Sequence, residues 1–413
     1  MSEVHTQLLE QIDRAEVVQL MMDLQRFRSF SGQEAEAVRF LAGWLEERGM
    51  EVELIDVADE PGRPDLIARL PGTGQGPSLM LNGHLDIDPV PLNYPGDPWA
   101  CYEEDDLLYG HGLMNMKAGV AALASAAVAV KRAGVSLTGD LLVTGVVGEL
   151  QGGVGAYDLV QRGVVADYTI VCEPSEMEVR TIHSGAIQML VHVTGESAWI
   201  GVLHRVKYIN AVEKMTKVID ALKEVRFSVP LRDDLVGLPR MVVGSIMGGL
   251  GRDYGHGRPS YVPDFCTIIL EVRGLPGQDW DQTREDIEVA LRRLQTQDPE
   301  LHYEIEMPPA TYGPHWHSMK VPGYGIDVPT DHDLPQTVRR HHIEVLGSEP
   351  AKVGFQNPGS YAWTDAGHFT RGGSLAIIYG PTANLVRTVD IGKVMNCAQV
   401  LALTAVDICT RSK

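Results

Sequence analysis

The strongest constraint on this chain is a rhythm of short apolar runs, stopped by Gly or Pro, that alternate with segments of helical spacing. Runs at 50–57, 65–70, 78–83, 140–147 and 168–172 have strand length and strand punctuation. Between or before them, 11–27, 34–48, 117–133 and 155–163 carry helical spacing. Ser31-Gly-Gln-Glu34 has the S-x-x-E form of a capping box and predicts the start of the second helix. Such alternation predicts an α/β architecture with a mostly parallel sheet covered on both faces. The rhythm changes after His183. A strand at 186–193, a helix at 208–225, strands at 241–247 and 265–272, a helix at 280–295 and a strand at 302–307 follow. That βαββαβ order is the ferredoxin-like plan. From Thr337 the α/β pattern resumes, with a strand at 374–380 and a last helix at 392–410. The 413 residues exceed one ordinary hydrophobic core. We therefore expect a first domain in two parts, 1–184 and 308–413, interrupted by a second at 185–307. The Pro-, Gly- and His-rich stretch 308–335 reads as a long connecting loop.

The net charge of −20 argues against a nucleic-acid partner, because a phosphate backbone needs a basic face. Five scattered cysteines without a CxxC spacing read as free thiols of a reducing compartment. The first residues are polar and acidic, unlike a secretory leader. The longest apolar stretch, 118–130, is about 13 residues and short for a bilayer span. The expectation is a cytoplasmic protein with no membrane partner.

Four clusters fall at the predicted carboxyl ends of strands, where open α/β sheets place their sites. In His84-Leu-Asp86 the carboxylate can sit behind the imidazole, leaving the other ring nitrogen for a metal; alone, the pair reads more readily as satisfied strand-end polar residues. Gly110-His-Gly-Leu-Met-Asn115-Met-Lys enters a helix, and its plain reading makes Asn115 an N-cap. Glu149 lies in a Gly-rich turn, which suits a catalytic base or a solvated loop carboxylate. Glu173 ends a strand before Pro174.

In order, these clusters resemble the aminoacylase, acetylornithine deacetylase and succinyl-diaminopimelate desuccinylase family of two-zinc amidohydrolases and peptidases. The likeness runs through Asn82-Gly-His-Leu-Asp86, the G-x-G-x-x-x-M-K-x-G turn and Glu173-Pro-Ser. It continues in Pro263-Asp264, Arg273-x-x-Pro-Gly, Thr364-Asp365-Ala366 and Gly380-Pro381. The resemblance implies a phosphorylase/hydrolase-like catalytic domain with a lid that also forms a homodimer, acting on a small N-acyl amino acid or related substrate. Residue by residue, it makes His84 a first-metal ligand, Asp86 the carboxylate behind it, Glu149 the general base and Glu173 the carboxylate closing the first site.

The chain departs from its family at four positions. The bridging Asp falls on Asn115, whose amide has no charge to share between two cations. The second-metal Glu falls on Leu150, and the second-metal His on Arg387. The lid His falls on Trp199, or on His204 if the longer spacing shifts it. Zinc sites hold three firm protein ligands. The resemblance thus leaves one weakly held zinc or other divalent metal at His84, Asn115 and Glu173, or none, and no second metal. Arg387 reads either as a positive group in the vacated space, acting on a substrate, or as a buried salt bridge to Glu149 or Glu173. Arg273, His111, His204 and Trp199 are candidates for binding substrate, with His183, His256, His315, His317, Arg252 and Arg258 behind them. Three functions stay open at this point: an amide hydrolase based on Glu149, an inactive homologue that binds an acyl-amino acid, and a non-hydrolytic enzyme on the same scaffold.

Overall fold

The computed structural model describes residues 3–254, 259–309, 319–355, 362–382 and 387–412. The chain divides into two compact units, Met1–His183 with Gly323–Lys413, and Ser184–Pro322. The return crossing thus falls later than position 308. Met319 still belongs to the inserted unit, where its backbone N–H donates to Gln188 Oε1 at 2.9 Å.

The first unit is built on an eight-stranded sheet. Its centre is the strand Leu79–His84, paired in parallel with Leu141–Val146 on one side and Tyr168–Val171 on the other. Leu375–Ile378 continues the parallel run beyond Tyr168–Val171. Glu51–Asp56 and Pro64–Leu70 close one edge in antiparallel pairing. The central strands are buried on both faces, as their unbroken apolar runs require. Helices Ala118–Arg132 and Ile391–Cys409 pack on each other inside the fold. With the turn before it, the first forms a 20-residue segment apolar enough to cross a bilayer, longer than the stretch read from the sequence; the second also qualifies. Their apolar windows are 89% and 67% buried in the protein, so both serve as core helices. Gly119 allows the close approach that matters for the site. A Cβ there would stand 2.2 Å from the Cys172 carbonyl oxygen, so only glycine lets the turn carrying Asn115 lie against the strand end carrying Glu173.

Two local expectations change. The predicted 11–27 helix is the shorter Arg14–Gln25, capped by Asp13, which accepts from Glu16 N–H at 2.8 Å, and a separate helix, Glu3–Leu9, precedes it. The capping box does not form: helix Ala35–Glu46 starts without a side-chain cap. Ser31 Oγ instead donates to Asp86 Oδ2 at 3.0 Å, and fully buried Glu34 takes a two-point ion pair from Arg63. A buried guanidinium is a stronger and needier partner for a carboxylate than one backbone N–H.

The inserted unit keeps the βαββαβ order. Its antiparallel sheet runs Arg240–Gly249, Phe265–Gly274, Gly185–Thr194, His302–Glu306. Helices Ala211–Leu222 and Trp280–Gln297 bury Met215, Val218, Ile287 and Leu291. Arg240–Gly249 is an edge strand, with Val242 and Ile246 exposed.

Candidate metal and catalytic site

Three neighbouring parallel strands bring the chemistry together. His84 is the last residue of its strand, Glu149 follows Val146 by three positions, and Glu173 follows Val171 by two. Because those strands lie side by side and point the same way, their carboxyl ends deliver an imidazole between two carboxylates. Ligand atoms of His84, Glu149 and Glu173 all lie within 4.8 Å of one another, and all three residues are buried.

The polarity of the contacts is informative. His84 Nδ1 lies 2.9 Å from the Asp86 carbonyl oxygen and 3.2 Å from Asp86 Oδ1, so it carries the ring proton. Nε2 then faces Asn115 Oδ1 at 3.1 Å and Glu173 Oε1 at 3.3 Å, both acceptors. A neutral ring would set its lone pair against theirs. The arrangement requires something positive, a proton on Nε2 or a cation among the three atoms. Tetrahedral ligands at zinc bond lengths stand about 3.3 Å apart, which matches both separations.

Charge points the same way. Asp86, Glu149, Glu173 and Asp365 are buried around the single imidazole of His84. Burial presses His84 towards neutrality, but Glu173 and Asp86 outweigh it and hold its pKa well above the usual value. Burial, with the nearby Glu173 carboxylate, pushes Glu149 well up. Burial raises Asp365 to about 8, Glu173 and Asp86 adding to the effect. Neither Asp365 oxygen has a hydrogen-bond partner among the described residues. Asp86 behaves differently: burial opposes its ionisation, yet His84, the Leu150 N–H and Ser31 keep it below the usual carboxylate range. It accepts the backbone N–H groups of Glu149 and Leu150, each at 3.1 Å, and so ties the His84 strand end to the Glu149 turn. The donor set and the surplus of buried negative charge fit one divalent cation, held by His84, Glu173 and Asn115 with Glu149 beside it.

Asn115 is no helix cap. Helix Ala118–Arg132 starts after Lys117 without a side-chain cap, and Asn115 has extended backbone angles in the turn before it. Leu150 offers no ligand. Arg387 does not make the buried salt bridge to Glu149 or Glu173 that one of its readings held. Its Nη2 donates to the Tyr102 hydroxyl at 3.3 Å, and its guanidinium lies over the Tyr109 ring at 5.3 Å. Among the described residues no carboxylate lies within ion-pair distance of it. The stacked Tyr102–Tyr109 pair offers a flat face and a hydroxyl while leaving the cation partly hydrated, cheaper than burial beside Glu149.

His111 is buried and donates from Nε2 to the Asp88 carbonyl oxygen at 2.7 Å. His183 is also buried, with Nε2 3.2 Å from Thr364 Oγ1. In the inserted unit, Arg273 pairs with Glu271 at 2.7 Å, Arg252 pairs with Glu304 at 3.1 Å, and His204 Nε2 accepts from Arg205 at 2.8 Å. Trp199 is half exposed beside the short turn Ile200–Val202. His256, Arg258, His315 and His317 lie outside the described residues.

The sequence reading missed Asp88 and Asp365 as site residues. Asp88 Oδ2 accepts from Asn115 Nδ2 at 3.3 Å. The alternation His84, Asp86, Asp88 was its available signal, and Asp365 stood inside a motif already noted.

A base carboxylate beside a cation-binding cluster at the ends of parallel strands is the arrangement of a metal-assisted hydrolase. Residues 80–406 match the Peptidase family M20/M25/M40, and the chain belongs to that family. It is similar to N-formyl-4-amino-5-aminomethyl-2-methylpyrimidine deformylase of Bacillus subtilis (strain 168), at 28% identity over 63% of this chain and 62% of that protein's length. Acetylornithine deacetylase of Vibrio campbellii is 30% identical over 64% of this chain and 68% of its own. The dipeptidase Dug1p from Saccharomyces cerevisiae shares the fold at 11% identity, with a TM-score of 0.77 over all of both chains. The protein is thus an enzyme of the peptidase and amidohydrolase class.

Proposed function

We propose that this enzyme hydrolyses the amide bond of a small N-acyl substrate, removing a short acyl group from an amine or amino acid, at a single divalent-cation site. The observation that carries this reading is the convergence of His84, Glu149 and Glu173 within 4.8 Å at three adjacent strand ends. The names of the relatives, a deformylase and a deacetylase, support a short acyl group.

His84, Glu173 and Asn115 would hold the cation, which when bound would supply Lewis acidity to an attacking water and to the scissile carbonyl. Zinc suits this mixed nitrogen and oxygen set. Glu149 takes the water proton on a carboxylate oxygen as the new C–O bond forms, and returns it to the nitrogen as the C–N bond breaks. Asp86 fixes the His84 tautomer and the Glu149 turn through its four donors.

The uncharged Asn115 and the ligand-free Leu150 favour a second reading, an inactive homologue that binds the same ligand. One experiment separates the two. N-formyl and N-acetyl amines are assayed with chelator-treated protein and titrated zinc, for wild type and Glu149→Gln. Turnover that needs about one equivalent of zinc and falls about 10²- to 10⁴-fold in the variant supports hydrolysis. Calorimetric binding of these compounds without turnover in wild type selects the binder.

The edge strand Arg240–Gly249, with Val242 and Ile246 exposed, supports a homodimer through the inserted unit. A monomeric mass in analytical ultracentrifugation would dismiss it. Five unpaired cysteines support a cytoplasmic setting, and the acidic charge supports a small-molecule rather than a nucleic-acid partner.

A further inference from the structure

The amide of Asn115 raises a question of orientation. Its oxygen can bind a cation and its NH₂ group cannot, yet the two ends have nearly the same size and shape. In a site where a neutral amide replaces a charged carboxylate, a wrong flip would set N–H donors towards the cation.

The structure has a device that decides the flip. Asp88 is the second residue after Asp86, in the loop leaving the His84 strand, and Asp88 Oδ2 lies 3.3 Å from Asn115 Nδ2. An ionised carboxylate only accepts hydrogen bonds, so the NH₂ end must face it. Oδ1 is thereby turned to the other side, 3.1 Å from His84 Nε2. Asp88 is itself anchored. Its carbonyl oxygen accepts from His111 Nε2 at 2.7 Å, and the His111 ring stands edge-to-face between Tyr94 and Trp99, with centroids 5.5 and 5.8 Å away. His111 is wholly inside the protein, whereas Asp88 is only half-buried and keeps its charge in contact with solvent.

We propose that Asp88, steadied by His111, is a positioning residue that locks the Asn115 amide with its oxygen towards the cation position. The proposal rests on the single-cation reading above. It assigns His111 to support of the site in place of substrate binding, and it links His111, Asp88 and Asn115 as one hydrogen-bonded unit. Only an amide at position 115 needs such a lock, since the two oxygens of an aspartate are equivalent.

That last point supplies the test. Zinc affinity is measured by competition with a chromogenic chelator on metal-stripped protein, for wild type, Asp88→Ala, Asp88→Asn, Asn115→Asp and the double variant Asp88→Ala/Asn115→Asp. Removing an outer partner of a metal ligand costs about 10- to 100-fold in affinity, and Asp88→Ala is expected in that range. Asp88→Asn offers both an acceptor and a donor to the Asn115 amide, so it no longer dictates the flip and should lose affinity as Asp88→Ala does. In the Asn115→Asp background, Asp88→Ala should change affinity less than about twofold, because no flip remains to be fixed. Equal losses in the Asn115 and Asn115→Asp backgrounds would mean that Asp88 acts only as a nearby charge and would overturn the proposal. Wild-type affinity in Asp88→Ala would overturn it too, while leaving the cation site intact. If wild type takes up no zinc, the single-cation reading fails first and the proposal falls with it.

Discussion

Replacing Asp86 by asparagine tests the architecture of the site through one carboxylate. Asp86 is fully buried and accepts from Ser31 Oγ (3.0 Å) and Leu150 N–H (3.1 Å) on Oδ2, and from Glu149 N–H (3.1 Å) and His84 Nδ1 (3.2 Å) on Oδ1. An asparagine must turn its NH₂ group towards one of these pairs. The Oδ2 side is cheaper, because the Ser31 hydroxyl can reverse and accept, while the Leu150 N–H is left facing a donor. An orphaned buried N–H costs about 1–3 kcal/mol, and changing charge-assisted hydrogen bonds to neutral ones costs about 1 kcal/mol more. We expect Asp86→Asn to lose about 2–4 kcal/mol of the roughly 5–15 kcal/mol typical of a folded protein. The carboxylate of Asp86 has a lowered pKa in the fold. Its contribution is therefore present above the unfolded carboxylate pKa and lost as pH falls through the lower folded value. The assay is urea unfolding of metal-stripped protein at neutral pH, followed by far-UV circular dichroism and tryptophan fluorescence together, so that separate unfolding of the two units is recognised. A second readout is zinc affinity, expected to drop about tenfold in Asp86→Asn and further in Asp86→Ala, where every carboxylate contact to the Glu149 turn is lost while His84 Nδ1 keeps the main-chain carbonyl of residue 86. Both variants unfolding within about 0.5 kcal/mol of wild type, with unchanged zinc affinity, would refute this account of Asp86.

Other outcomes follow from the same charges. In metal-free protein the raised pKa values of His84, Glu149 and Asp365, the last at about 8, mean that the folded site holds more protons than the unfolded chain. Stability should then decline as pH rises from about 4 towards 8, and added zinc should raise the melting temperature more at pH 8 than at pH 6. The triple change Asn115→Asp, Leu150→Glu, Arg387→His should raise the zinc content from one equivalent towards two by elemental analysis; a content fixed at one would undo the placement of these residues at the lost second site. Glu34→Ala, which leaves buried Arg63 with Glu60 as its remaining carboxylate partner among the described residues, should destabilise by about 1–3 kcal/mol in the same urea assay.

The helix start at 31–35 shows how local signals can mislead. Ser31 and Glu34 have the spacing of a capping box, and an isolated helix would use them so. Each has a better partner across the fold, Asp86 for Ser31 and Arg63 for Glu34. Arg387 teaches the same from the other side. Its position in the chain places it at the lost second-metal site, but its long side chain is free to choose among partners, and two stacked tyrosines cost it less desolvation than buried carboxylates would. Asp88 lay in plain view two residues beyond a recognised site residue. Nothing local said that it would meet Asn115, 27 residues further along.

The sequence by itself determined the strands, their ends and the residues at those ends. Apolar runs bounded by Gly and Pro report burial and chain reversal, which are local properties of a strand. His84, Glu149 and Glu173 could therefore be picked out together, and the parallel order then delivered them to one place. Tertiary structure alone decided where the polar side chains turned. It set Arg387 on the tyrosines, Ser31 on Asp86, Asp365 beside the site without a partner among the described residues, and Asp88 against the Asn115 amide. Hydrogen bonds and ion pairs in the interior are chosen by competition among all the groups that burial brings together, and that company is assembled only when the chain has folded.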